Sequence, residues 1–101
     1  MRDNKNQKLL QIVKKYLVID DEDKDADDLL IEYIEGGKRY LDDIAGCSLD
    51  YFSFGLPRSL LLDYCRYARS QALEVFGQNY SGELLKLNMM QYDKDGGSDE
   101  N

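Results

Sequence analysis

The chain of 101 residues contains no histidine, two cysteines and a single proline. Without histidine there is no Ser-His-Asp or Cys-His catalytic pair and no two-His metal site. Cys47 and Cys65 are too few for a zinc site and have no histidine to complete one. They are compatible with a disulfide, but in a reducing compartment free buried thiols are expected. Glycine-rich phosphate loops are also missing, since "EGGKRY" is neither GxGxxG nor GxxxxGK[ST]. Carboxylates alone can do acid–base work, yet nothing here points to an enzyme or to a cofactor. No apolar run approaches the roughly 18 residues needed to cross a bilayer, and "MRDNKNQKLL" has no apolar core of a signal peptide. The expectation is a single small domain that stays in the cytoplasm where it is made and has no membrane partner.

What the chain has in excess is acid, unevenly placed. The net charge is −7. Residues 1–19 carry five Lys/Arg against one Asp, or +4, whereas residues 20–35 carry nine acids against Lys24, or −8. Phosphate contacts dominate nucleic-acid affinity, so this balance predicts no general nucleic-acid binder. The basic start and the acidic block are complementary, and neighbouring copies can meet head to tail through them in a contact able to close a ring.

Apolar periodicity marks four helical segments and no strand. The first spans about 5–18 with the stripe Leu9, Ile12, Val13, Tyr16 and Leu17, leaving Lys8, Lys14 and Lys15 off it. The second spans about Asp25 to Ala45, with Leu30, Ile34, Gly37, Leu41 and Ile44 on its stripe and Gly46 as its C-cap. Gly37 sits on the apolar face, which predicts close approach by another helix, with a kink as the rival reading. The loop "CSLDYFSFGLP" offers Tyr51, Phe52 and Phe54 as core plugs or as partner contacts. Pro57 opens the third helix at its first turn, and the stripe from Leu60 to Phe76 predicts that it runs until Gly77. A short helix from about Ser81 to Met90 has more apolar residues than one face needs. The end, 93–101, reads as a disordered acidic tail after a single helical domain over 1–92. The fold class is all-α: a small bundle of two long central helices with shorter flanking helices.

The stretch "DDEDKDADDLLIE" invites a calcium reading. With Asp21 as position 1, acids occupy positions 3, 5 and 7 (Asp23, Asp25, Asp27), and Glu32 occupies position 12 of an EF-hand loop. Position 6, normally glycine, is Ala26, and Leu30 and Tyr33 already belong to a helical stripe. The same acids are better explained by a helix start, where free N–H groups and the dipole favour negative charge, with Asp23 or Asp25 as N-cap. The remaining carboxylates then form a solvated face or a surface for a basic partner.

The run "LLQIVKKYLVIDDEDKDADDLLIEYIEGGKRYLDDIAG" resembles the start of the small phage head–tail connector proteins, also called adaptor or DNA-packaging connector proteins, of tailed phages and prophages. The matching parts are a short helix ending in Tyr16-Leu17-Val18-Ile19-Asp20, the acidic turn from Asp21 to Leu30, and a long helix with Ile34, Tyr40 and Gly46. Gly37 occupies a place where that family usually has a small residue. Phe76, Tyr80, Glu83, Leu84 and Leu87 resemble the family's later "F...Y..EL..L" segment. The likeness covers about residues 8–90; the Gly36-Gly37 pair and the Met-containing end depart most from it. It implies an all-α structural virion protein without catalysis. About a dozen copies would form a ring below the portal protein, joining head to tail. The ring would extend the DNA channel, letting DNA pass without specific binding, and present a platform to the next neck or tail-completion protein. Its places would be the bacterial cytoplasm during assembly and then the virion neck.

The candidate interface residues on this reading are Lys8, Lys14 and Lys15 on the basic helix, facing Asp21, Asp23 and Asp25 of a neighbour. Arg66 and Arg69 stand one turn apart on the third helix, for DNA or portal acids or as a solvated face. Leu87, Met89 and Met90 would dock the C-terminal segment on the portal or on another copy. The alternatives are an acidic helical module binding a basic protein outside any phage, and a calcium-binding protein acting through Asp21 to Glu32.

Overall fold

Ile12, Val13 and Leu9 recur at helical spacing, and they open the structure as α1, Asn4–Tyr16. In the computed structural model the backbone is described over residues 4–99 and side chains over 5–90. Four further helices follow: α2, Asp27–Ala45; α3, Leu56–Arg69; α4, Phe76–Asn79; and α5, Ser81–Asp99, with a 3₁₀ turn at Leu73–Val75 before α4. No strand occurs among the described residues, and the fold is all-α. α2 is the central helix, packed against α1, α3 and α5. The last helix is longer than the expected Ser81–Met90: its backbone runs on to Asp99, through most of the stretch read as an acidic tail, while side chains from 91 onward lie outside the described residues.

Three helices end on a left-handed residue, only one of which is glycine. Gly46 closes α2 at φ 76°, and its N–H and that of Cys47 both donate to Asp42 O, at 2.8 and 3.2 Å. α1 ends in a Schellman turn: Ile19 N–H donates to Lys14 O at 2.8 Å and Val18 N–H to Lys15 O at 3.3 Å, with Val18 at φ 58°. α3 ends the same way: Ala72 N–H donates to Tyr67 O at 2.8 Å and Gln71 N–H to Ala68 O at 3.0 Å, with Gln71 at φ 57°. This corrects the expected run of the third helix to Gly77. α3 has 14 residues against 19 for α2, because the turn at Gln71 redirects the chain before Phe76. The start of α2 also differs from expectation. Neither Asp23 nor Asp25 caps it; Ala26 occupies the cap position with no side-chain hydrogen bond, and Asp27 and Asp28 supply the acid in its first turn.

Gly37 lies where α2 packs tightly against α3. A Cβ there would lie 2.7 Å from Leu61 Cδ1 and 2.8 Å from Tyr64 Cδ1, so the helices meet through the missing side chain rather than through a kink. Around this crossing Leu9, Leu10, Val13, Leu30, Ile34, Leu41, Leu60, Leu61, Cys65 and Leu87 are all at most 2 % exposed. Each such aliphatic side chain contributes about 1.5–3 kcal/mol by burial. The redirected chain returns Phe76 to the core, where four tyrosines surround its ring. Tyr80 stacks on it at 4.6 Å, while Tyr67, Tyr64 and Tyr40 meet it edge-on at 5.4, 5.5 and 6.0 Å.

The aromatic loop divides between the two roles open to it. Tyr51 is 2 % exposed, Phe52 half-buried, and Phe54 90 % exposed. Asp42 organises the loop: its Oδ1 accepts the Leu49 N–H at 3.0 Å and the Tyr51 hydroxyl at 2.6 Å. Burial, then this carboxylate, raise the Tyr51 hydroxyl pKa far above its ordinary value.

Candidate functional site

The acidic stretch is built around a lysine of its own chain. Lys14 is completely buried, and its Nζ donates to Asp21 O at 3.2 Å and Asp23 O at 3.0 Å and lies 2.5 Å from Asp27 Oδ1. An ammonium has three N–H donors; two of them go to the carbonyls of Asp21 and Asp23, and the Asp27 carboxylate balances the charge. Among the described residues Asp27 Oδ1 is buried without a hydrogen-bond partner, and Lys14 is its ion-pair partner. The clasp fastens the turn after α1 to the first turn of α2, and Tyr16 reinforces the α1 end by donating its hydroxyl to Asp63 of α3.

This arrangement corrects the placement of Lys14 on an intersubunit surface: its charge is spent inside the subunit. The sequence signal was the spacing Leu10, Lys14, Leu17, which places Lys14 at the edge of the buried stripe. The clasp also turns the loop away from calcium-loop geometry. An EF-hand aims the carboxylates of its early positions inward, whereas here the backbone carbonyls of Asp21 and Asp23 face the ammonium. The side chains of Asp20, Asp21, Glu22, Asp23 and Asp25 are exposed. Among the described residues no group of three or more His, Cys, Asp or Glu is placed to hold a metal ion.

The other charged candidates stay on the surface. Lys8 and Lys15 are exposed, and a turn of about 100° per residue separates Lys15 from the clasped Lys14. Arg66 and Arg69 are exposed as well. Arg66 Nη2 lies 3.7 Å from Asp63 Oδ1 and donates to Tyr80 Oη at 3.2 Å, while its guanidinium stands 5.2 Å from the Tyr67 ring. Asp63 therefore gathers Tyr16, Arg66 and the start of α5 on one flank. Its hydrogen bond raises the Tyr16 hydroxyl pKa, and desolvation followed by the same carboxylate pushes Tyr80 up to about 12. Such an exposed ion pair contributes at most about 1 kcal/mol.

The C-terminal apolar candidates separate. Leu87 is 1 % exposed and belongs to the subunit's own core, which corrects its placement as a docking residue. Met89 and Met90 are half exposed, and so is Leu85, which the sequence reading did not single out. Phe54, at the same end of the molecule, was recognisable in sequence only as one of three loop aromatics. Asn88 Nδ2 donates to Ile44 O at 2.9 Å, tying this part of α5 to the end of α2. Both cysteines are free thiols; Cys65 is buried, and desolvation pushes its pKa up to about 12.

Compared with known proteins, the chain matches no family model, no curated protein and no solved structure. The fold and its surfaces define a small all-α protein with a clasped acidic loop and an apolar end. No helix among the described residues is long and apolar enough to cross a membrane.

Proposed function

We propose that this chain is a structural subunit of a phage or prophage neck, a head–tail connector whose copies assemble into a ring against the portal. The observation that carries the reading is where the family-like segments fall. Tyr16 to Asp20 closes α1, the acidic turn wraps Lys14, and Gly37 lies where α2 and α3 meet. Phe76, Leu84 and Leu87, from the later segment, enter the core with Tyr80 packed beside them. The residues that resemble the connector pattern are thus residues that shape this subunit. The work assigned to the protein lies in its surfaces: exposed acids on the clasped loop, Lys8 and Lys15 on α1, and exposed apolar groups near α5.

The test is co-assembly with the portal protein encoded in the same genome. Mixed with preformed portal rings and imaged by electron microscopy, the protein should add a layer of density on one portal face. Absence of that layer at concentrations well above any working affinity rejects the reading. The acidic interaction module, by contrast, predicts a stable monomer forming a one-to-one complex with a basic protein.

A further inference from the structure

α5 is apolar on two opposite faces. Leu84 and Leu87, three residues apart, face the core and are 8 % and 1 % exposed. Leu85 and Met89, four residues apart, share another face and are 60 % and 54 % exposed. Leu85 stands two residues from Leu87, or about 200° around the helix. Apolar residues grouped on one exposed helix face mark an interaction surface, and among the described residues nothing covers the Leu85–Met89 ridge.

At the same end of the molecule, a groove of about 320 Å³ runs between α5 and the α2–α3 loop. Phe54, Leu56, Pro57, Leu87 and Met90 supply its apolar lining, and Asp50 is the one charged residue among those that line it. Phe54 is 90 % exposed yet held in place: the Arg58 guanidinium lies 4.2 Å from the centre of its ring, and Arg58 Nη1 donates to Phe52 O at 3.0 Å. Asp50 is fixed too. Its Oδ1 accepts the Phe52 and Ser53 N–H groups at 2.9 and 3.3 Å, and its Oδ2 accepts the Ser53 hydroxyl at 2.6 Å. These hydrogen bonds, that of the Ser53 hydroxyl foremost, hold its carboxyl pKa below the ordinary value.

We propose that the Leu85–Met89 ridge of one copy seats in the Phe54 groove of the next, with Lys86 on the ridge reaching Asp50 on the groove wall. Three observations select a second copy as the occupant. Lys86 is the only charged residue from Leu84 to Met90, and it complements Asp50, the only charge lining the groove among the described residues. Ridge and groove lie on different sides of α5, so their pairing is head-to-tail, the kind of contact that closes rings. The apolar area fits a small contact. At roughly 200 Å² per large side chain, the exposed parts of Phe54, Leu85, Met89 and Met90 amount to on the order of 500 Å² divided between ridge and groove. That is the apolar centre of a contact at the small end of specific interfaces, the remainder being polar rim. The inference rests on the assembly reading above and specifies which surfaces carry it.

Sedimentation of the full chain over a wide concentration range tests it, using the charge reversals Lys86→Asp and Asp50→Lys. Each reversal alone is expected to raise the concentration of half-assembly about tenfold, and the two together to return it to within about threefold of the parent. Met89→Ser, at an exposed position that leaves the fold intact, is expected to weaken assembly as well. Oligomers that form but ignore all these changes overturn the ridge-and-groove contact while leaving the connector reading standing. A parent chain that stays monomeric throughout overturns the contact too, and portal co-assembly then decides the connector reading separately.

Discussion

Lys14 Nζ stands 2.5 Å from Asp27 Oδ1, with the lysine side chain wholly buried and that of the aspartate 13 % exposed. The pair joins the last turn of α1 to the first turn of α2 across a loop whose other acids face solvent. Taking two charges out of water is costly, and only good geometry with satisfied donors offsets that cost. Here two loop carbonyls accept hydrogen bonds from the ammonium, while Asp27 Oδ1, with no hydrogen-bond partner, depends on the lysine charge alone.

Lys14→Met is therefore expected to destabilise the fold by about 3–5 kcal/mol, because it leaves Asp27 buried without its counter-charge. Adding Asp27→Asn should recover a substantial part of the loss. Urea unfolding followed by circular dichroism reads both variants. A single-variant loss below about 1 kcal/mol would show the pair to be an exposed contact in solution.

The two adjacent glycines of α2 should respond to alanine with opposite signs. At Gly37 a Cβ would meet Leu61 and Tyr64 atoms at 2.7 and 2.8 Å. Overpacking of this kind costs about 1–3 kcal/mol and outweighs the gain in helix propensity. At Gly36 the nearest atom is the Tyr64 hydroxyl oxygen at 3.4 Å, an ordinary contact. Gly36→Ala should then stabilise by up to about 1 kcal/mol. Equal effects at the two positions would contradict the close helix crossing.

Val18 is a β-branched residue at φ 58° and 91 % exposed. Left-handed backbone costs such a residue about 1–2 kcal/mol, and its exposure offers little packing in return. Val18→Gly should raise stability by roughly 1 kcal/mol after the greater unfolded-state entropy of glycine is counted. Thermal melting of the variant checks this; a lowered midpoint would mean that the side chain does make a stabilising contact.

Thiol chemistry should distinguish the two cysteines. Burial pushes Cys65 from 9.0 up to about 12, so at pH 8 it should resist a thiol reagent until the protein unfolds, while half-buried Cys47 reacts faster. The linkage has a definite sign. The folded state binds the Cys65 proton more tightly than the unfolded state does. The neutral thiol therefore detracts nothing below about pH 9, and stability falls as pH rises from about 9 toward 12. Cys65→Ala should flatten part of that alkaline slope, and an unchanged slope would remove the thiol from the account.

Much of the architecture was legible because it depends on local periodicity. Leu30, Ile34, Gly37 and Leu41 repeat at helical spacing, Gly46 stops the helix, and Pro57 starts the next one. Gly37 advertised a close crossing because no other residue leaves backbone so bare. The end of α3 was not legible. Gln71 carries no left-handed signature, and Phe76 continues the helical stripe by coincidence of spacing while reaching the core from a separate turn. Of the candidate surfaces, the exposed acids and Lys8 and Lys15 could be read from polarity, but Leu85 and Leu87 look alike in a string of leucines.

The sequence by itself determined the class of fold and the absence of histidine-based chemistry, since stripe spacing and residue inventory do not depend on distant contacts. It also determined that acid and base are segregated along the chain. Only the tertiary structure decided which charges remain outside. Lys14 and Lys15 are neighbours in sequence, yet a turn of about 100° puts one beneath a loop of carbonyls and leaves the other in water. Burial is a property of what arrives from elsewhere in the chain. One lysine became an internal fastening because Asp21, Asp23 and Asp27 fold back over it.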